Sequence, residues 1–213
     1  MYFSAKAHKF HILKDIIGDK KLNILDVGCG NHSPSETKLN FKNCIYHGID
    51  LEVNPNYYES DKAAIEKMFI LNLDDLNLIE IENNFYDVII MCHVIEHLHH
   101  GEELIKLLNS KLKKGGFFYI ECPSPKSVNF PSMKGTLNFY DDKTHVKIYS
   151  ISTITNTLKD ENNVISSGIV RSFFNLLLIP YKILKSKISR GYVRAYIFWD
   201  LFGFANYVLF QKK

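Results

Sequence analysis

Apolar residues along this chain gather in short blocks, some continuous and some spaced three and four apart, with glycine, proline and polar turns between them. The clearest continuous block is Tyr86-Asp87-Val88-Ile89-Ile90-Met91-Cys92, apolar on both faces as a central parallel strand is. Residues 22–27, 44–49 and 117–121 read as further strands, and residues 65–71 as the end of a helix followed by another. Residues 163–170 and 206–211 complete the set. Helical spacing appears in residues 4–17, where Phe10, Leu13, Ile16 and Ile17 share one side. A stronger helix has Glu102 and Glu103 in its first turn, a stripe of Leu104, Leu107, Leu108 and Leu112, and Lys111, Lys113 and Lys114 at its end. Gly115-Gly116 is expected to stop it. Ser33-Pro34 is expected to cap and open a short helix, and Ser150 to cap residues 151–158. Strands alternating with helices predict an α/β fold with a parallel, doubly wound sheet.

Length permits one domain over residues 1–213 with a well-buried core. Two stretches fall outside the alternation. Residues 122–144 form a long loop with Pro123, Pro125 and Pro131; loops of that length in compact domains are commonly functional. Residues 174–205, between the last two strands, are rich in Phe, Tyr, Leu and Lys/Arg. Charge follows the same division. Residues 164–213 carry eight Lys/Arg against the single acid Asp200, a net of +7, while residues 1–163 carry eighteen basic and twenty-two acidic residues, a net of −4. Cys29, Cys44, Cys92 and Cys122 show no Cys-x-x-Cys pair and read as buried thiols of a reducing compartment. No apolar leader and no run near the roughly 20 apolar residues of a membrane span is present. The expectation is a cytoplasmic protein, with the tail open to peripheral membrane contact.

The chemistry centres on Asn23-Ile24-Leu25-Asp26-Val27-Gly28-Cys29-Gly30-Asn31. A strand runs into an acid and two glycines spaced by one, which predicts a sharp turn where backbone approaches a ligand closely. A second acid, Asp50, ends the next strand, where it can accept hydrogen bonds from ribose hydroxyls. The third glycine of a dinucleotide-binding turn would fall at Ser33 and is absent, which counts against a nicotinamide cofactor.

These pieces, followed by Asn72-Leu73-Asp74, by Phe85-Tyr86-Asp87-Val88-Ile89 with Glu96-His97-Leu98, and by Leu112-Lys113-Lys114-Gly115-Gly116, resemble class I S-adenosylmethionine-dependent methyltransferases. The resemblance implies a Rossmann-like seven-stranded mixed sheet of order 3-2-1-4-5-7-6, its seventh strand antiparallel. It implies that Asp26, Gly28, Cys29 and Gly30 border the methionine part of S-adenosylmethionine. Asp50 would take the ribose diol, Asp74 would face the adenine amino group, and Leu51 or Leu73 would lie against the ring. His93 would line the methionine and substrate side. The stretch Cys122-Pro123-Ser124-Pro125 with Asn138-Phe139-Tyr140-Asp141-Asp142-Lys143-Thr144-His145 is similar to bacterial methyltransferases of surface-polysaccharide biosynthesis.

An acceptor hydroxyl needs a base, and histidine's ordinary pKa of about 6.5 suits that task. The catalytic candidates are His145, with Asp142 beside it, then His93 and His97. A structural His145 tied to the loop is the competing reading. Some quinone-pathway O-methyltransferases of similar pattern place a metal beside a Glu-His pair, but two adjacent residues do not make a site; no metal is expected. His99-His100 reads as a solvated turn. The leading function is O-methylation of a sugar, glycan precursor or other small molecule, with N- and carboxyl acceptors open. The alternatives are an NAD(P)-dependent oxidoreductase and a catalytically silent cofactor-binding subunit. Nucleic acid is not expected as a partner, because no Asn-Pro-Pro-Tyr type motif follows strand four. For residues 174–205 three roles stay open: a packed helical pair, a substrate lid and a membrane contact.

Overall fold

In a computed structural model, which describes residues 8–18, 20–30 and 32–213, the chain builds one seven-stranded sheet. Helix α1 (His8–Ile17) precedes β1 (Asn23–Val27), α2 (Ser33–Asn40), β2 (Ile45–Asp50), α3 (Glu59–Ala64) and β3 (Lys67–Ile70). Then come β4 (Tyr86–Cys92), α4 (Gly101–Lys111), β5 (Leu112–Pro123), α5 (Ile151–Leu158) and β6 (Asn162–Ile169). Helices α6 (Phe173–Leu177), α7 (Ile179–Arg190) and α8 (Trp199–Phe202) lead into β7 (Ala205–Lys212). The strand order is β3-β2-β1-β4-β5-β7-β6, with β7 antiparallel to both of its neighbours. This is the expected Rossmann-like arrangement.

Strand alternation sends side chains to two cores. Leu25, Val27, Ile89 and Met91 meet α4 and α5 through Leu104, Ile105, Leu108 and Ile154. Ile24, Tyr46, Val88 and Ile90 meet α1 through Phe10, Leu13 and Ile17 on the other face. A third, smaller cluster of Leu137, Ala195, Phe204 and Ala205 joins the long loop to the segment between β6 and β7. Trp199 Nε1 donates to the Thr136 carbonyl at 2.7 Å across the same junction.

Several local expectations change. Helix α4 ends at Lys111, four residues before the first glycine of the expected stop, because Leu112 turns extended, pairs with Tyr86 and is fully buried. The glycines serve the strand instead. Gly115 is left-handed at φ 76°, and a Cβ on Gly116 would stand 3.0 Å from the Asp87 carbonyl. Ile105 takes the place expected for Leu107, which is exposed. Ser33 is the first residue of α2 rather than its cap; His32, left-handed at φ 65°, precedes the helix and makes no side-chain cap bond. Residues 4–7 of the expected first helix lie outside the described residues.

Candidate active site

The chain leaves β1 toward the α1 face and β4 toward the α4 face, so a crevice opens between these neighbouring strands at their carboxyl ends. Gly28 makes the turn out of β1. It is left-handed (φ 71°), and its N–H donates to the Ile49 carbonyl at 2.8 Å. A Cβ there would stand 2.3 Å from Val94 Cγ2, just after β4. Only a glycine lets the two strand exits pass this closely.

Two cavities meet at Gly28, Gly30 and His93. The smaller, about 330 Å³, runs past Asp50, Leu51, Asn72, Leu73 and Asp74 to His97 and Leu98. The larger, about 800 Å³, lies between α1, Glu121 and the segment carrying Arg171, Asn175, Trp199 and Asp200.

Asp26 is buried on the larger side. Ser33 Oγ and Tyr46 Oη donate to its Oδ2 at 2.6 and 2.9 Å, and Lys9 Nζ lies 3.9 Å from the same oxygen. All three partners use Oδ2, which leaves Oδ1 for a ligand's ammonium. Burial pushes the Tyr46 phenol well up, reinforced by Asp26, so it stays a donor. Ser33, where a dinucleotide site would need glycine, is part of this support. Cys29 contributes no side chain to either cavity: its sulfur is fully buried over Gly48, and burial pushes the thiol up to about 12.

Asp50 is half-buried at the end of β2, and burial raises its pKa above the ordinary carboxylate range against the pull of the Leu51 and Gly30 N–H groups. It still lacks the donors a ribose diol supplies. Asp74, expected to face the adenine amino group, also takes part in the turn before α4. It lines the cavity, but the His99 N–H donates to Oδ1 at 2.9 Å and His99 Nδ1 lies 3.2 Å from Oδ2. Burial raises its pKa and these bonds more than offset it, so the net direction is down. Its carboxylate therefore also anchors the turn before α4. Asn72 and Leu98, which stand in the motif pieces without an assigned role, also line the smaller cavity, as does Val94, which only its position after a strand end could have marked.

His93 stands at the junction with a positive φ of 55°. Its Nδ1 lies 3.2 Å from Glu96 Oε1 and its Nε2 3.3 Å from Glu121 Oε1, and its ring tilts against Trp199 at 5.3 Å. Burial alone would lower its pKa, but the two carboxylates prevail and raise it to about 10. His93 thus carries a proton at neutral pH, which suits a fixed charge rather than a base.

Neither His145 nor Asp142 lines either of these two cavities; His97 lines the smaller. Yet the fold brings them together. The Val146 and Lys147 N–H groups donate to the Glu96 carbonyl at 2.8 and 3.1 Å, which sets the His145 ring 4.8 Å from the His97 ring. Asp142 acts one step away: Thr144 Oγ1 donates to Asp142 Oδ1 at 2.6 Å and so must accept from His97 Nδ1, 2.8 Å away. His145 Nδ1 donates to the Phe139 carbonyl at 2.6 Å. In the neutral form of each ring the lone pair is therefore the one on Nε2. Ligand atoms of Glu96, His97 and His145 lie within 4.8 Å of one another, and Glu96 Oε2 is buried with no hydrogen-bond partner. Among the described residues this group could hold a cation, the third donor coming from a distant part of the chain.

The sequence model of the methyltransferase domain family matches residues 4–164, well over half of the chain. The chain belongs to the methyltransferase domain family. It is an enzyme whose methyl donor is S-adenosylmethionine, and the oxidoreductase alternative is not favoured. No curated protein sequence matches the methyltransferase at a significant level. Its fold is shared with a SAM-dependent methyltransferase from Archaeoglobus fulgidus, 21% identical, TM-score 0.57, covering 96% of this chain and 93% of that one. An S-adenosylmethionine-dependent methyltransferase from Mesorhizobium loti is 15% identical, TM-score 0.65, covering 95% and 96%. The Burkholderia thailandensis 1,6-didemethyltoxoflavin-N1-methyltransferase is 12% identical, TM-score 0.60, covering 96% and 76%. The donor fits the residues present. The glycine turn clears space at the cavity junction, Asp26 is bonded there through Oδ2, and Asp50 stands half-buried at the end of β2 beside Gly30.

Proposed function

We propose that the methyltransferase acts on a hydroxyl of a sugar, glycan precursor or other small molecule, with the His97–His145 pair as its base. The observation that carries this reading is the pair of adjacent imidazoles beside the cleft, each held through its Nδ1 so that the neutral ring has its lone pair on Nε2. S-adenosylmethionine, when bound, supplies a methyl group activated by the sulfonium charge. The acceptor oxygen bonds to that carbon, the carbon–sulfur pair stays with sulfur, and the hydroxyl proton passes to an Nε2. Asp26 and Asp50 hold the donor's ammonium and ribose, with the Gly28 and Gly30 backbone beside them. Leu51, Leu73 and Asp74 border the base. The aromatic face of Trp199, with Glu121, Arg171 and Asp200 around it, suits a polyhydroxylated ring, whose C–H face packs on the indole while a hydroxyl reaches across the junction at His93 toward His97 in the smaller cavity. The insertion at 174–205 lines this acceptor side through Asn175, Trp199 and Asp200, and the loop at 123–144 packs against that insertion.

The test is incubation with sugar-nucleotide and small-molecule pools, scored by the gain of a methyl mass. His97→Ala and His145→Ala should each retain S-adenosylhomocysteine affinity and lose about 10²–10⁴ in turnover. Undiminished turnover of a hydroxyl acceptor in both variants would remove the base.

The partnerless Glu96 oxygen favours a second reading, in which Glu96, His97 and His145 hold a divalent cation that lowers the acceptor hydroxyl's pKa. Metal analysis of purified protein and activity after chelation separate the two. Full activity in the metal-free enzyme leaves the histidine base alone.

A further inference from the structure

Helix α7 is apolar on its outer side as well as along its half-buried Ile179 and Ile183. Its inward face carries Ser186, buried, whose hydroxyl donates to the Tyr192 carbonyl at 2.8 Å. Its outward face carries Tyr181, Leu184 and Ile188, the last 78% exposed. Spacings of three and four put these on one line, and Leu177 and Phe173 of α6 extend it, Phe173 being 76% exposed. Lys185 and Lys187 flank the line on its two sides, and both are exposed. The one acid of this region, Asp200, is turned inward, accepting from the Ser172 N–H at 2.6 Å and the Asn175 amide at 2.9 Å. Within residues 164–213 no other carboxylate side chain is present to offset the basic rim. Among the described residues no helix is long and apolar enough to cross a membrane.

We propose that this α6–α7 face docks in the plane of a membrane surface rich in anionic lipid. An apolar line flanked by long basic side chains matches the boundary between acyl chains and acidic headgroups, the stems lying along the apolar layer and the charges reaching the phosphates. A second copy of the chain is a poor occupant, since a two-fold contact through the line would set the same lysines against each other. The opposite side of this segment lines the larger cavity through Asn175 and Trp199, so docking holds the acceptor side of the enzyme at the membrane. The proposal stands whatever the acceptor is.

The full chain is mixed with vesicles of phosphatidylcholine and phosphatidylserine in equal parts, and separately with pure phosphatidylcholine, then sedimented. Retention on the anionic vesicles should exceed that on the neutral ones and fall with added salt. The double variant Leu184→Glu/Ile188→Glu should lose about tenfold or more of it, and Lys185→Glu/Lys187→Glu should lose the preference for phosphatidylserine. Both variants should keep wild-type affinity for S-adenosylhomocysteine, which shows that they fold. Failure of the wild type to sediment, or sedimentation unchanged by either variant, overturns the proposal. So does a dimer in sedimentation velocity that Leu184→Glu/Ile188→Glu dissolves, or capture of a partner protein by this face with no lipid binding.

Discussion

Gly28→Ala perturbs the point where both cavities meet, and its cost divides into two separable parts. A left-handed backbone costs a residue with a Cβ about 1–2 kcal/mol, and Gly28 sits at φ 71°. The new methyl would overlap Val94 Cγ2 at 2.3 Å, so the β4 exit must shift; overpacking of this kind costs about 1–3 kcal/mol. Together the loss is about 2–5 kcal/mol, within the usual total of about 5–15 kcal/mol, so the variant should fold but with a lowered urea midpoint. Because the strain falls at the cavity junction, calorimetry should also show weaker S-adenosylhomocysteine binding. The control is Val94→Ala. In that background the overlap disappears, so Gly28→Ala should cost only the conformational part, about 1–2 kcal/mol. An identical cost in both backgrounds, or a loss under about 0.5 kcal/mol in the parent, would refute the reasoning.

Asp50→Ala should weaken cofactor binding by about 1–3 kcal/mol, because ribose hydroxyls lose a buried acceptor; unchanged affinity by calorimetry would remove the ribose role. The raised pKa of Asp50 adds a sign to the pH dependence. Hydroxyl donors favour the carboxylate, so affinity should hold near neutral pH and fall as pH drops through that raised value, and Asp50→Asn should flatten the decline. Asp61 is fully buried and accepts from His32 Nδ1 at 2.6 Å, the Tyr58 N–H at 3.0 Å and Ser35. Burial raises its pKa and these bonds outweigh that, so the net direction is down. Its stabilising contribution is thus present above the ordinary value near 3.9 and lost as pH falls through the folded value. Asp61→Asn should lower the melting temperature at neutral pH, and the gap from wild type should close in acid; a gap that persists there would contradict the assignment.

What the sequence determined by itself was whatever depends on neighbours within a few residues. The two-faced apolar run of β4 demands burial on both sides, and the Asp-Val-Gly-Cys-Gly stretch demands a turn only glycine adopts. Strands alternating with helices restrict the sheet to a doubly wound order, which the observed topology carries. Lysine-rich surroundings of the tail were equally legible. Contacts between distant segments were not. His97 and His145 stand 48 positions apart and meet because two N–H groups of one loop find the Glu96 carbonyl, a pairing with no local signal. His93 looks like a base until Glu96 and Glu121 close on it from two elements and keep its proton in place. Asp74 looks free until the turn at His99 occupies it. The outward apolar line of α7 follows the same rule: periodicity reveals a stripe, but only packing against the neighbouring segments decides which side of a helix faces water.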